Sequence, residues 1–145
     1  MKIVVHSILR SVKFSSLIRC LIILFVACSV IFSSCKKDPG KGGLATIKGK
    51  VYGFDINSGG VVHDSGYVGG ERVYISYGDN SWVDDDVKTS ATGDYAFRGL
   101  QTGNYTLTVY SRCDSCAFNQ IPELQHVEIT SAKQELTVPD FKIYK

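Results

Sequence analysis

From Ala45 onward the apolar residues of this chain recur at every second position, a period that fits strands and not helices. Ile47, Gly49 and Val51 alternate with Thr46, Lys48 and Lys50. Val73, Ile75 and Tyr77 alternate with Arg72, Tyr74 and Ser76, and Tyr105, Leu107 and Val109 with Thr106, Thr108 and Tyr110. Such alternation builds strands with one buried and one wet face. Shorter candidates are Tyr95–Phe97, Gln125–Ile129, Leu136–Tyr144 and a segment near Val83–Thr89. In the last long candidate the apolar phase shifts from Leu136/Val138 to Phe141/Ile143 across Pro139, which predicts a bulge or an edge position, because proline cannot donate to a ladder. Gly59-Gly60, Gly69-Gly70, Thr92-Gly93-Asp94 and Thr102-Gly103-Asn104 supply the turns between strands. About seven short strands in roughly a hundred residues predict an all-β fold, a seven-stranded antiparallel β-sandwich.

The segment before this domain has a different character. Its only charged residues ahead of Cys35 are Lys2, Arg10, Lys13 and Arg19, and behind Arg19 runs the uncharged stretch Cys20–Phe32. That run has the length of a signal-peptide core and falls short of the roughly 20 residues a spanning helix needs. A signal anchor is the alternative, although extending the span back through Ser15-Ser16-Leu17-Ile18 would place Arg19 inside it. Phe32-Ser33-Ser34-Cys35-Lys36-Lys37 resembles the lipobox of bacterial lipoproteins. The resemblance implies that residues 1–34 are a signal-peptide helix and that Cys35 becomes the lipidated, palmitate-bearing first residue of the mature chain. A second box at Val26-Ala27-Cys28 would leave Val30-Ile31-Phe32 exposed, so Cys35 is preferred. The expected location is the cell envelope, lipid-anchored, on the outer membrane. Residues 35–43 read as a flexible tether and 44–145 as the domain.

Removing the leader reverses the charge balance. Four of the 16 basic residues precede Cys35 and none of the 14 acidic ones does, so the remainder carries 12 against 14, a net −2. A basic patch for nucleic acid is therefore not expected.

The segments Ala45–Val51, Gly70–Ile75, Thr89–Leu100 and Thr102–Val109 follow one another in an order that resembles the carboxypeptidase regulatory-like domain, a transthyretin (prealbumin)-like sandwich. The resemblance implies that Gly93 makes a tight turn, that Tyr95 and Phe97 enter the core, and that Leu100 plugs one end. It implies no catalytic activity and no cofactor, since such domains serve as spacers, interaction modules or accessories. The hydrolases of this architecture end in Tyr-Arg-Gly-Ser, whereas this chain ends Phe141-Lys-Ile-Tyr-Lys145.

Three groups of residues carry candidate chemistry. Cys113-Asp114-Ser115-Cys116 holds the only cysteines after Cys35, and in an oxidising compartment a disulfide is the first expectation. A redox pair, or a zinc site completed by His63 and His126, are the alternatives. Asp84, Asp85 and Asp86 form the one concentrated oxygen-ligand cluster, and a solvated acidic loop is the plainer reading than calcium, because successive strand side chains point to opposite faces. Trp82, the only tryptophan, together with Tyr52, Tyr74 and Tyr110 on the solvent phase, could stack on sugar rings or on a protein partner, or could simply suit a pleated surface. His63-Asp64-Ser65 offers catalytic residue types but not a triad, because adjacent side chains cannot be relayed. The expectation is a lipid-anchored, non-enzymatic interaction, adhesion or accessory module contacting protein or glycan, its contact surface at the end carrying the loops Phe54–Gly69 and Gly78–Asp86 on condition that the two share an end. Glycan binding through Trp82, or redox or metal chemistry at Cys113 and Cys116, are the runner-up functions.

Overall fold

The computed structural model describes residues 38–57 and 59–145. Cys35 and the leader lie outside the described residues. Among the described residues, nine strands run in chain order: β1 (Lys41–Ile56), β2 (Val62–Tyr67), β3 (Arg72–Tyr77), β4 (Asp85–Lys88), β5 (Asp94–Leu100), β6 (Gly103–Arg112), β7 (Gln120–Ile129), β8 (Glu135–Thr137) and β9 (Phe141–Tyr144). They form two sheets, one built around β1 and one ordered β4-β3-β6-β7. The expected β-sandwich is present, with nine strands rather than seven.

The two additional strands have separate causes. β2 forms inside the expected first loop by pairing antiparallel with the second half of β1, Tyr52 opposite Tyr67 and Phe54 opposite Ser65. The last expected strand is split at Pro139. β8 and β9 both run parallel to β1, with Lys48 opposite Thr137 and Val51 opposite Phe141. The register therefore slips by one residue between them, which is the phase shift expected around Pro139. Val138 donates to the Lys48 carbonyl at 2.9 Å, and the proline that follows has no N–H to continue the ladder.

β1 is thus flanked by β5 and β2 on one side and by β8 and β9 on the other. It also starts earlier than the expected domain boundary. Lys41–Gly43, expected in the tether, belong to β1. A Cβ on Gly43 would lie 1.9 Å from the Leu100 carbonyl oxygen, so only glycine can occupy that close approach. Gly40 is fixed as well: its N–H donates to the Tyr105 hydroxyl at 2.9 Å and its carbonyl accepts from Gln101 N at 2.9 Å.

The inward phases of both sheets meet in one core. Ile47, Val51, Val73, Ile75, Leu107 and Val109 are fully buried, and Tyr95, Phe97 and Leu100 lie inside as expected. Gly93 turns at φ +75°, its N–H bonded to Ser90 O at 2.9 Å. Leucine, isoleucine and valine side chains buried in this way contribute about 1.5–3 kcal/mol each relative to exposure.

Candidate ligand-binding face

The outward phase of β1 reads Lys48, Lys50, Tyr52, Phe54. Cross-strand pairing brings Tyr67 of β2 beside Tyr52 and Tyr144 of β9 beside Phe54. The result is a continuous aromatic ladder on the outer face of the β1 sheet. Ring centroids are 5.3 Å apart for Tyr67–Tyr52, 5.3 Å for Tyr52–Phe54 and 5.7 Å for Phe54–Tyr144. The first two pairs pack edge-on and Phe54–Tyr144 is tilted, contacts that hold the rings in fixed orientations. Tyr67 and Tyr144 are each about half exposed (49%), so the ladder presents apolar ring surface to solvent.

Polar groups fix one end of the ladder. Lys50 Nζ sits 4.7 Å from the Tyr67 ring centroid, bonds Asp94 Oδ1 at 2.6 Å and donates to the Thr92 carbonyl at 3.4 Å. The Tyr67 hydroxyl donates to Asp140 Oδ2 at 3.1 Å, and that carboxylate raises the phenol above its ordinary pKa. Hydrogen bonding to Lys50, and then to the Thr92 hydroxyl, holds Asp94 below the ordinary carboxylate value. Lys50, Asp94 and Asp140 also line a cleft of about 710 Å³ that borders the ladder. Tyr95 lines the same cleft. Its hydroxyl is buried and has no hydrogen-bond partner among the described residues, and burial, with the charge of Asp140, drives its pKa upward.

The aromatics expected to act together are found at three separate places. Tyr52 is on the ladder. Tyr74 and Tyr110 pack edge-on at 5.7 Å on the outer face of the other sheet. Trp82 lies in the β3–β4 loop, 66% exposed and outside every aromatic pair among the described residues. The condition that the Phe54–Gly69 and Gly78–Asp86 loops share an end is not met: they lie at opposite ends. Gly78 N donates to Asn104 O at 2.8 Å, where β6 begins, whereas Ile56 receives Arg112 Nη1 at 3.4 Å on its carbonyl, where β6 finishes. Ten strand residues separate those ends by about 30 Å.

The remaining candidates are each engaged locally. Cys113 and Cys116 form a disulfide with Cα atoms 5.4 Å apart. Arg112 clamps that turn by binding Asp114 at 2.7 and 3.1 Å. His126 bonds Thr106 at 3.0 Å, toward the other end of β6, so a zinc site shared with the two cysteines is not assembled. Asp84 accepts the Tyr77 N–H at 2.7 Å, Asp85 pairs with Lys41 at 2.8 Å and Asp86 with Arg72 at 2.7 Å. Each carboxylate of the acidic run is thereby turned to a different partner instead of a common centre. Ser65 Oγ bonds the Tyr52 hydroxyl at 3.1 Å and not an imidazole.

Sequence reasoning missed Phe54, Tyr67 and Tyr144. Phe54 carries a readable signal, since it continues the outward phase of Lys48, Lys50 and Tyr52. Tyr67 and Tyr144 reach the ladder only through long-range pairing.

No protein-family model matches the chain, and no curated protein matches it. Among solved structures it is similar to a crystal structure, at 2.61 Å, of a proposed carbohydrate-binding protein from Pseudomonas aeruginosa. The TM-score is 0.42 at 13% identity, covering 69% of this chain and 90% of that one.

Proposed function

We propose that this chain is a lipid-anchored, non-catalytic binding module of the bacterial cell envelope, of carboxypeptidase regulatory-like type, that takes a glycan across the outer face of its β1 sheet. The observation that carries the ligand reading is the exposed ladder Tyr67–Tyr52–Phe54–Tyr144 beside a polar cleft. Sugar rings have apolar faces that stack on aromatic rings and hydroxyl edges that bond charged and amide groups. The ladder supplies the first need, and Lys50, Asp94 and Asp140 supply the second. On this reading Cys113–Cys116 is a structural staple, and Cys35 carries the lipid.

Screening the mature protein against an oligosaccharide panel tests the ligand reading. Tyr52→Ala or Tyr67→Ala should weaken binding about tenfold each, since an aromatic contact contributes about 0.5–1.5 kcal/mol beyond its area. Tyr110→Ala and Trp82→Ala should leave it unchanged. Binding that survives both ladder variants, or no binding to any glycan, overturns the assignment. Intact mass of the protein from its own membranes tests the anchor: the expected species is residues 35–145 plus acyl chains, and an unprocessed chain refutes it.

A further inference from the structure

Trp82 is left without a role by the ligand face, and its position suggests one. The chain enters the domain at Pro39 and Gly40. Pro39 packs against both Gly78 and Gly103, its Cγ 3.8 Å and 2.5 Å from where their Cβ atoms would be. The β3–β4 loop that carries Trp82 begins at Gly78, so the point of entry and the tryptophan share one end of the sandwich.

That loop has an unusual division of charge. Asp84, Asp85 and Asp86 are drawn back onto Tyr77 N–H, Lys41 and Arg72. Asp79, at the start of the loop, is exposed; the stretch beyond it, Asn80-Ser81-Trp82-Val83, carries no charge of its own, and its two apolar residues are 66% and 49% exposed. An exposed tryptophan beside an exposed valine is the pairing that partitions into the headgroup layer of a bilayer, where the indole buries its ring and keeps its N–H wet; the Asp79 carboxylate can stay in the water above that layer.

The length of chain preceding the domain supplies the partner. Only Lys36, Lys37 and Asp38 separate Cys35 from Pro39, and four peptide units extend to at most about 14 Å. Because Gly40 is pinned by Tyr105 and Gln101, this tether cannot lengthen by peeling away the start of β1 without breaking those bonds. A domain held by lipid at Cys35 therefore keeps its Trp82 end within reach of the headgroups.

We infer that the Trp82–Val83 tip is a second membrane contact, which docks the entry end of the sandwich onto the bilayer that holds its lipid and leaves the ladder face standing beside it. The inference rests on the lipid-anchor reading of Cys35. Two contacts, one covalent lipid and one loop, define an orientation that a single tether leaves free.

Because Trp82 is the only tryptophan, its fluorescence reports this contact alone. The lipidated protein is reconstituted into phosphatidylcholine vesicles, with and without bromine on the upper acyl chain. Trp82 emission should shift to the blue and be roughly halved by the brominated lipid, with aqueous acrylamide losing access. As a reference, Phe118→Trp in a Trp82→Phe background places the probe in the turn after Cys116, at the opposite end; it should stay open to acrylamide and insensitive to bromine. Incorporated protein whose Trp82 is quenched by acrylamide and not by bromine overturns the docking while the anchor stands. Equal bromine quenching at both positions overturns the orientation. Protein whose intact mass lacks acyl chains overturns the anchor, and the docking falls with it.

Discussion

Two tyrosines are buried in this core, and deleting the same atom from each should move stability in opposite directions. Tyr105 is 1% exposed; its hydroxyl accepts the Gly40 N–H at 2.9 Å and donates to the Gln101 carbonyl at 2.8 Å. Tyr95 is 4% exposed, and its hydroxyl has no partner among the described residues. In Tyr105→Phe the buried Gly40 N–H loses its acceptor, which costs about 1–3 kcal/mol. For a domain of this size that lowers Tm by about 4 °C per kcal/mol. In Tyr95→Phe the folded state no longer holds an unpaired hydroxyl that water solvates in the unfolded chain, so stability should rise by about 1 kcal/mol. Ring packing is retained, since Tyr95 meets Phe97 and Phe141 through its ring, at centroid distances of 6.2 and 6.3 Å. Urea titrations of both variants, followed by circular dichroism, measure the two changes with an unchanged m-value as the check on two-state behaviour. Loss of 1 kcal/mol or more in Tyr95→Phe would refute the reasoning, because it would mean the hydroxyl has a bonding partner in the folded protein.

Gly49→Ala should destabilise by about 1–3 kcal/mol through overpacking, since its Cβ would lie 2.7 Å from the Tyr95 hydroxyl oxygen and 2.9 Å from Val138 Cγ2; combination with Tyr95→Phe should recover part of that loss in the same titration. Replacing Cys113 and Cys116 together by serine should cost at most about 2 kcal/mol, the loop-closure value for so small a ring, and leave the binding proposed for the ladder face unchanged by calorimetry. Asp94 titrates below its ordinary 3.8 because of Lys50 and Thr92, so its contribution is present above that value and is lost as pH falls through the lower, folded one. Asp94→Asn should therefore flatten the acid limb of a Tm–pH curve below about pH 4 and leave the shape of the curve at higher pH unchanged.

The strands readable in the sequence were those whose two faces differ. β3, β5 and β6 each alternate between buried and exposed positions, and the start of β1's core phase at Ala45 does the same. β2 carries no strand signal in the sequence because Val62-His-Asp-Ser-Gly-Tyr67 is exposed along nearly its whole length, so no period marks it. Its strand conformation comes from the partner it pairs with. Lys41–Gly43 went unread for a related reason: glycines carry no side chain to set a phase, and what selects them is the close approach of Leu100. The candidate site divides the same way. Tyr52 was legible from phase, but which aromatics stand beside it depends on the pairing of β1 with β2 and β9, tens of residues away. Trp82 lies in the loop expected to carry it, but whether that loop shares an end with Phe54–Gly69 is a property of topology, not of composition.

The parallel pairing of β9 with β1 has a mechanical consequence. The chain enters at the start of β1 and its last residues leave beside β1's far end, where Ile56 N donates to Lys145 O at 3.3 Å and Lys145 N to Phe54 O at 2.9 Å. Tension between Pro39 and Lys145 would pull these two neighbours along their length in opposite directions. The bonds of the Val51–Phe54 and Phe141–Tyr144 ladder would then be loaded together in shear, not opened one at a time as in a zipper. A domain wired in this way resists stretching between Pro39 and Lys145 with many bonds at once.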